Sequence, residues 1–125
     1  MKQKYIIGDL VKYKVGSLEF IAEITNTSKY GYCFKGVSDD ISGILCKEFA
    51  KDIPLTPELL EKNGWREEKG DYINDNYHIR LCEKIDGYSA YKVVNDAIVW
   101  LRDIESVSDL QHLFFGLNLN SEMEV

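Results

Sequence analysis

Ile53-Pro-Leu-Thr-Pro-Glu-Leu-Leu-Glu-Lys-Asn-Gly-Trp65 holds both prolines of the chain and spells out one short helix with its start and its stop. Thr56 supplies the N-cap, and Pro57 suits the first helical position because its missing N–H has no helical partner to lose there. Asn63-Gly64 provides the exit that ends the helix. Strand-like sequence lies on either side, so this helix divides the chain into a segment 1–52 and a segment 53–125. No flexible linker joins them: Asp52-Ile53-Pro54-Leu55 is short and apolar, and Pro54 holds the residue before it extended. The two halves are expected to dock closely.

Upstream of the helix, no helical period persists for three turns, and short apolar runs alternate with turn residues. Strands are expected over 9–14, 18–25, 30–37 and 41–47, broken at Val15-Gly16-Ser17, Asn26-Thr27-Ser28-Lys29 and Ser38-Asp39-Asp40. In the second of them Leu18, Phe20, Ala22 and Ile24 alternate with Glu19, Ile21, Glu23 and Thr25, which turns one face to a core and the other mostly to water. Four or five short strands in so little chain suggest a small SH3-like β-barrel over residues 1–52, a shape that hides its sheet edges by closing.

Downstream, strands are expected over 71–73, 77–85, 88–94 and 97–104. Asn74-Asp75-Asn76, Asp86-Gly87 and Asn95-Asp96 supply the tight turns of an antiparallel meander. A closing helix over 107–117 follows from Ser106 as N-cap and Asp109 three residues on, an acidic variant of the capping box. Val107, Leu110, Leu113, Phe114 and Leu117 form its apolar stripe. The tail 118–125 reads as a frayed end or a short edge strand. Residues 53–125 are thus an α-β-β-β-β-α unit, and the expected class is α+β: barrel, helix, four-stranded meander, helix.

Charge separates the halves. Residues 1–52 hold eight Lys against seven Asp plus Glu, a balance of +1, whereas residues 53–125 hold seven Lys plus Arg against fourteen Asp plus Glu, a balance of −7. An acidic second half argues against a broad nucleic-acid footprint there, because phosphate binding is dominated by Lys and Arg. No apolar run approaches the roughly 20 residues of a membrane span, and the N-terminus lacks the apolar centre of a signal peptide, so a cytoplasmic location is expected. Cys33, Cys46 and Cys82 form no Cys-x-x-Cys pair and have no histidine at zinc-ligand spacing; they read as small buried hydrophobes.

No catalytic constellation emerges. His78 and Cys82 share one face of one strand, but residues four apart on a strand lie about 13 Å from each other, too far for a hydrogen bond. His112 stands three residues from Asp109, the spacing of an ordinary helix-surface pair. The carboxylates of Asp39-Asp40, Glu67-Glu68, Glu122 and Glu124 lack EF-hand spacing, and the glycines form neither a P-loop nor a Gly-x-Gly-x-x-Gly stretch opening a helix. No catalytic residue, cofactor site or metal site is assigned. The one cluster with binding chemistry combines Lys29, Tyr30, Tyr32 and Lys35 with Lys12 and Lys14 on a neighbouring strand. Alternation would put Tyr30, Tyr32 and Phe34 on one face, where rings beside lysines stack bases or hold an extended peptide. The competing reading makes those rings barrel core, with Trp65 and Trp100 likewise buried.

The Ile53–Trp65 stretch, with Val107-Ser-Asp-Leu-Gln-His-Leu-Phe-Phe-Gly-Leu117, resembles a group of small uncharacterised proteins encoded by bacterial, often prophage-like, mobile elements. These share a β-rich start, an "IPLT-x-E-x-L-x-x-x-G-F/W" segment and a closing "V-x-x-L-Q-x-L-x-F-x-L" helix. The resemblance implies an accessory gene product and transfers no catalytic residue. The expected function is a non-enzymatic interaction with another protein, through the acidic second half or the aromatic strand around Tyr32. The alternative is a nucleic-acid-binding module using Lys12, Lys14, Lys29, Tyr30, Tyr32 and Lys35.

Overall fold

Alternation in the first half does produce strands. The computed structural model of the chain describes residues 4–38 and 40–125; Met1, Lys2, Gln3 and Asp39, the last in the expected 38–40 break, lie outside the described residues. The strands are β1 (Leu10–Val15), β2 (Leu18–Thr27), β3 (Tyr32–Gly36), β4 (Ser42–Leu45) and β5 (Ala50–Lys51), with one 3-10 turn, Lys47–Phe49, before the last. They form an antiparallel sheet in the order β4-β3-β2-β1-β5. Phe20 lies opposite Tyr13, Ala22 opposite Val11 and Phe34 opposite Ile24, so the alternating apolar residues share one face. The rings of Tyr13, Phe20 and Phe34 pack with centroids 5.1, 5.4 and 5.6 Å apart, and Tyr5 and Tyr32 complete this core.

The expected SH3-like barrel does not close. β4 and β5 are the two edges of an open sheet, and no ladder joins them among the described residues. The reason is local: Ser42, Gly43 and Ile44 of β4 are all exposed and present no apolar row to seal a barrel, while β5 contributes two residues.

In the second half, α1 (Pro57–Lys62) starts as expected, with the Thr56 hydroxyl accepting from the Leu59 N–H at 3.3 Å. A second antiparallel sheet follows in the order β10-β9-β8-β7-β6. Its strands are β6 (Arg66–Glu68), β7 (Asp71–Asn74), β8 (Ile79–Lys84), β9 (Gly87–Val94) and β10 (Ala97–Ile104). It has five strands rather than four. β6 is the charged run Arg-Glu-Glu, which carries no apolar alternation; its partner β7 and the turn at Lys69, with φ of 54°, make it a strand. The class is therefore mostly β with two small helices, not α+β. Gly87 cannot be replaced by a larger residue, because its φ is 144° and an added Cβ would sit 2.4 Å from the Ile104 carbonyl oxygen.

α2 (Val107–Gly116) has a complete capping box: the Ser106 hydroxyl accepts from the Asp109 N–H at 3.1 Å and the Asp109 carboxylate from the Ser106 N–H at 3.2 Å. Val107, Leu110, Leu113 and Phe114 pack against Ile79, Leu81, Ala90 and Ile104 on the inner face of the second sheet, while Leu117 stays exposed. Trp65 joins this core beside Phe114, as expected; Trp100 does not and is 56% exposed.

Contacts between the halves run through β1 and α2. Leu10 leaves the outer face of the first sheet to enter the second core, and its N–H donates to the buried Gln111 side chain at 2.9 Å. Gln111 in turn donates to the carbonyls of Gly8 and Ser121. Next to it, His112 Nε2 lies 2.6 Å from Asp9 Oδ2; the expected His112–Asp109 pair is absent because Asp109 is committed to the helix cap. The tail forms no strand: Asn63 and Glu124 exchange two 2.8 Å hydrogen bonds, and Leu119, Met123 and Val125 lie against the core. No helix among the described residues is long and apolar enough to cross a membrane.

Candidate interaction surface

The lysine–tyrosine cluster read from sequence does not assemble as one surface. Tyr32 is 2% exposed and belongs to the first core, with its ring edge-on to Tyr5. Tyr30 precedes β3, in a turn where the Ser28 N–H donates to the Gly31 carbonyl, so it falls out of the strand alternation and is 72% exposed. Lys29 Nζ lies 5.0 Å from its ring centroid. Lys12, Lys14 and Lys35 do stand on the outer face of the first sheet, but interleaved with carboxylates: Lys14 is opposite Glu19, Lys35 is opposite Glu23, and Lys12 pairs with Glu19 at 3.6 Å. That face offers phosphate no uniform positive field.

A different surface stands out at the far end of the second sheet. β9 and β10 continue past the region that α2 covers and form a projecting hairpin. Its turn is Asn95-Asp96, with Asn95 in the left-handed conformation at φ of 55° that a two-residue hairpin demands. Val93, Val94, Ile98, Val99 and Trp100 are 38–63% exposed. The register sets Val93 opposite Ile98 and Tyr91 opposite Trp100 on the outer face, with Val94 opposite Ala97 and Lys92 opposite Val99 on the inner one. Both faces of this arm are therefore apolar and open. Sequence reading made 97–104 a strand of the meander and placed Trp100 in the core, yet most of the run Ala97-Ile-Val-Trp-Leu101 is exposed. Leu101 alone of this run packs against the core, at an irregularity of the β9–β10 ladder.

Charged pairs lie across β6, β7 and β8, on the other side of the sheet from β10. Arg66 binds Asp75 through two 3.0 Å hydrogen bonds and Glu68 at 2.6 Å, which holds both carboxyls below the usual carboxylate range. Arg80 reaches Asp71 Oδ2 at 2.9 and 3.0 Å, and Lys92 donates to the Tyr77 carbonyl. Between Val93 of the arm and these pairs lies a shallow cavity of about 190 Å³ lined by Ile73, Asp75, His78, Arg80 and Val93. It is smaller than the roughly 300–1,000 Å³ of small-molecule sites. Asp75 and Arg80 are both engaged in ion pairs at its edge.

Among the described residues, no group of His, Cys, Asp and Glu is arranged to hold a metal ion, and Cys33, Cys46 and Cys82 are free thiols, Cys46 exposed. Comparison with protein-family models, with curated proteins and with solved structures finds no match.

Proposed function

We propose that this chain is a non-enzymatic protein-interaction protein that engages its partner through the β9–β10 arm, in the accessory role within a bacterial mobile element that its resemblance implies. The observation that supports this reading is the arm itself: consecutive exposed apolar residues at 38–63% exposure, from Val93 to Trp100, interrupted only by the turn. Burying one such side chain is worth about 1.5–3 kcal/mol, so leaving a contiguous set in water is a cost that a partner's surface would offset. The aromatic strand around Tyr32 gives less support, since its central ring is already used in a core. Side-by-side capture from bacterial lysate with the wild-type chain and an Ile98→Lys/Trp100→Lys chain tests the reading. Stoichiometric recovery of a protein by the wild type alone is expected; equal recovery by both refutes the role of the arm.

A further inference from the structure

We propose that β10 is the seam of a symmetric dimer, in which two copies of this chain pair their open edges antiparallel about Val99; the inference rests on the reading of the arm as a protein-binding surface. The Val93 N–H donates to the His78 carbonyl at 2.9 Å, on the side of β8. Val93 and Ile98 are therefore a pair that exchanges no hydrogen bond, and the N–H and C=O of Ile98 point away from β9, as do those of Trp100 two residues on. The sheet ends here, so these groups form an unpaired row on an apolar strand, the feature that invites another strand.

The free stretch has a defined length. Just beyond β10 the same side is taken: Leu55 N–H donates to the Glu105 carbonyl at 3.3 Å, Val107 N–H to the Ile53 carbonyl at 2.9 Å, and Pro54 bridges Ser106. Residues 97–103 remain. An antiparallel copy fills this stretch in one register, with Val99 opposite Val99. Ile98 then faces Trp100 of the second copy with their outward backbone groups matched, and Ala97 faces Leu101. The incoming turn at 95–96 ends where residues 53–55 begin. Leu101, where the β9–β10 ladder is irregular, meets the smallest side chain of the strand. A two-residue slip sets Asp96 against Trp100 in one direction and, in the other, drives the incoming turn into residues 53–55. The strand is thus complementary to itself in pattern and length, which is what an isologous contact requires. Its area falls at the small end of specific interfaces, below about 1,200 Å², so the dimer is concentration-dependent.

Sedimentation velocity of the full chain from about 1 µM to about 500 µM tests this, since self-association follows mass action. The wild type is expected to pass from monomer to dimer. Ile98→Pro removes an outward N–H at a position where an edge strand tolerates proline, and it weakens the dimer at least about tenfold. Val99→Cys in a Cys46→Ser background gives a register test that does not depend on how well the proline variant folds. Facing residues of a pair without hydrogen bonds have Cα atoms about 4.5 Å apart, within disulfide reach, so Val99→Cys cross-links copies on mild oxidation while Ile85→Cys, in an exposed turn, does not. A wild type that stays monomeric throughout, or equal cross-linking at Val99→Cys and Ile85→Cys, overturns the proposal. Protection of the Ile98 and Trp100 amides by an added host protein alone also overturns self-pairing. That last result leaves the arm as a protein-binding surface, which falls only if lysine substitution there leaves partner capture unchanged.

Discussion

Replacing each tryptophan by alanine separates the buried from the exposed half of this protein's aromatic inventory. Trp65 is 4% exposed and packs 6.1 Å, centroid to centroid, from Phe114; Trp100 is 56% exposed with Tyr91 as its cross-strand neighbour. A tryptophan buries about 150–250 Å², and each Å² is worth about 25 cal/mol, so removing Trp65 down to Cβ costs about 4 kcal/mol once the cavity it leaves is included. The smaller buried fraction of Trp100 and its single cross-strand pair put its contribution at about 1 kcal/mol. Thermal unfolding followed by far-UV circular dichroism reads both. For a chain of this size Trp65→Ala should lower the melting temperature by roughly 15 °C and Trp100→Ala by roughly 4 °C. Equal losses, or a larger loss for Trp100→Ala, would refute the placement of the arm outside the core.

Tyr13→Phe should leave stability unchanged or raise it by about 1 kcal/mol, since the buried Tyr13 hydroxyl has no hydrogen-bond partner among the described residues; a loss above that size in thermal unfolding contradicts this. Ser106→Ala should cost about 0.5–2 kcal/mol by opening the α2 capping box, with Ser106→Asp recovering most of it; an unchanged unfolding midpoint would speak against the cap. Burial raises the Asp9 carboxyl above its usual value, partly offset by the Ile6 N–H and His112. Its contribution to stability is therefore full below pH 4 or so and declines as pH climbs through the raised value. Unfolding free energies of wild type and Asp9→Asn compared between about pH 3 and pH 7 should show the wild type losing ground as pH rises; a flat difference would count against it. Fluorescence anisotropy with single-stranded DNA or RNA at low salt should show no binding, given the carboxylates interleaved with Lys12, Lys14 and Lys35; an affinity that falls steeply with salt and drops on Tyr30→Ala would reverse that reading.

Local chemistry was legible wherever a residue type has one structural use. Thr56-Pro57, Ser106 with Asp109, and Asn95-Asp96 specify helix starts and a hairpin turn through groups within three residues of each other, and they do so here. Alternation in β2 assigned Phe20, Ala22 and Ile24 to a core for the same reason, because side-chain period along a strand is a property of the backbone. Closure of the first sheet was not legible: it depends on whether two strands far apart in the chain meet, and a β4 without apolar side chains to spare leaves them as edges. β6 escaped notice because its pairing with β7 comes from the neighbouring strand and not from its own charged residues. His112 pairs with Asp9 across the joint between the sheets because the helix cap had already claimed Asp109.

The candidate surface shows the same division most plainly. Sequence by itself determines that the run from Ala97 to Leu101 is a β-strand, since its β-branched and aromatic side chains favour a pleated backbone wherever they lie. Only the tertiary structure decides that this strand is the last in its sheet and that α2, ten residues long, stops short of it. Hydrophobicity is local, whereas burial is a relation between elements distant in the chain. An apolar strand becomes a binding surface when the helix that would have covered it is spent on the other end of the sheet.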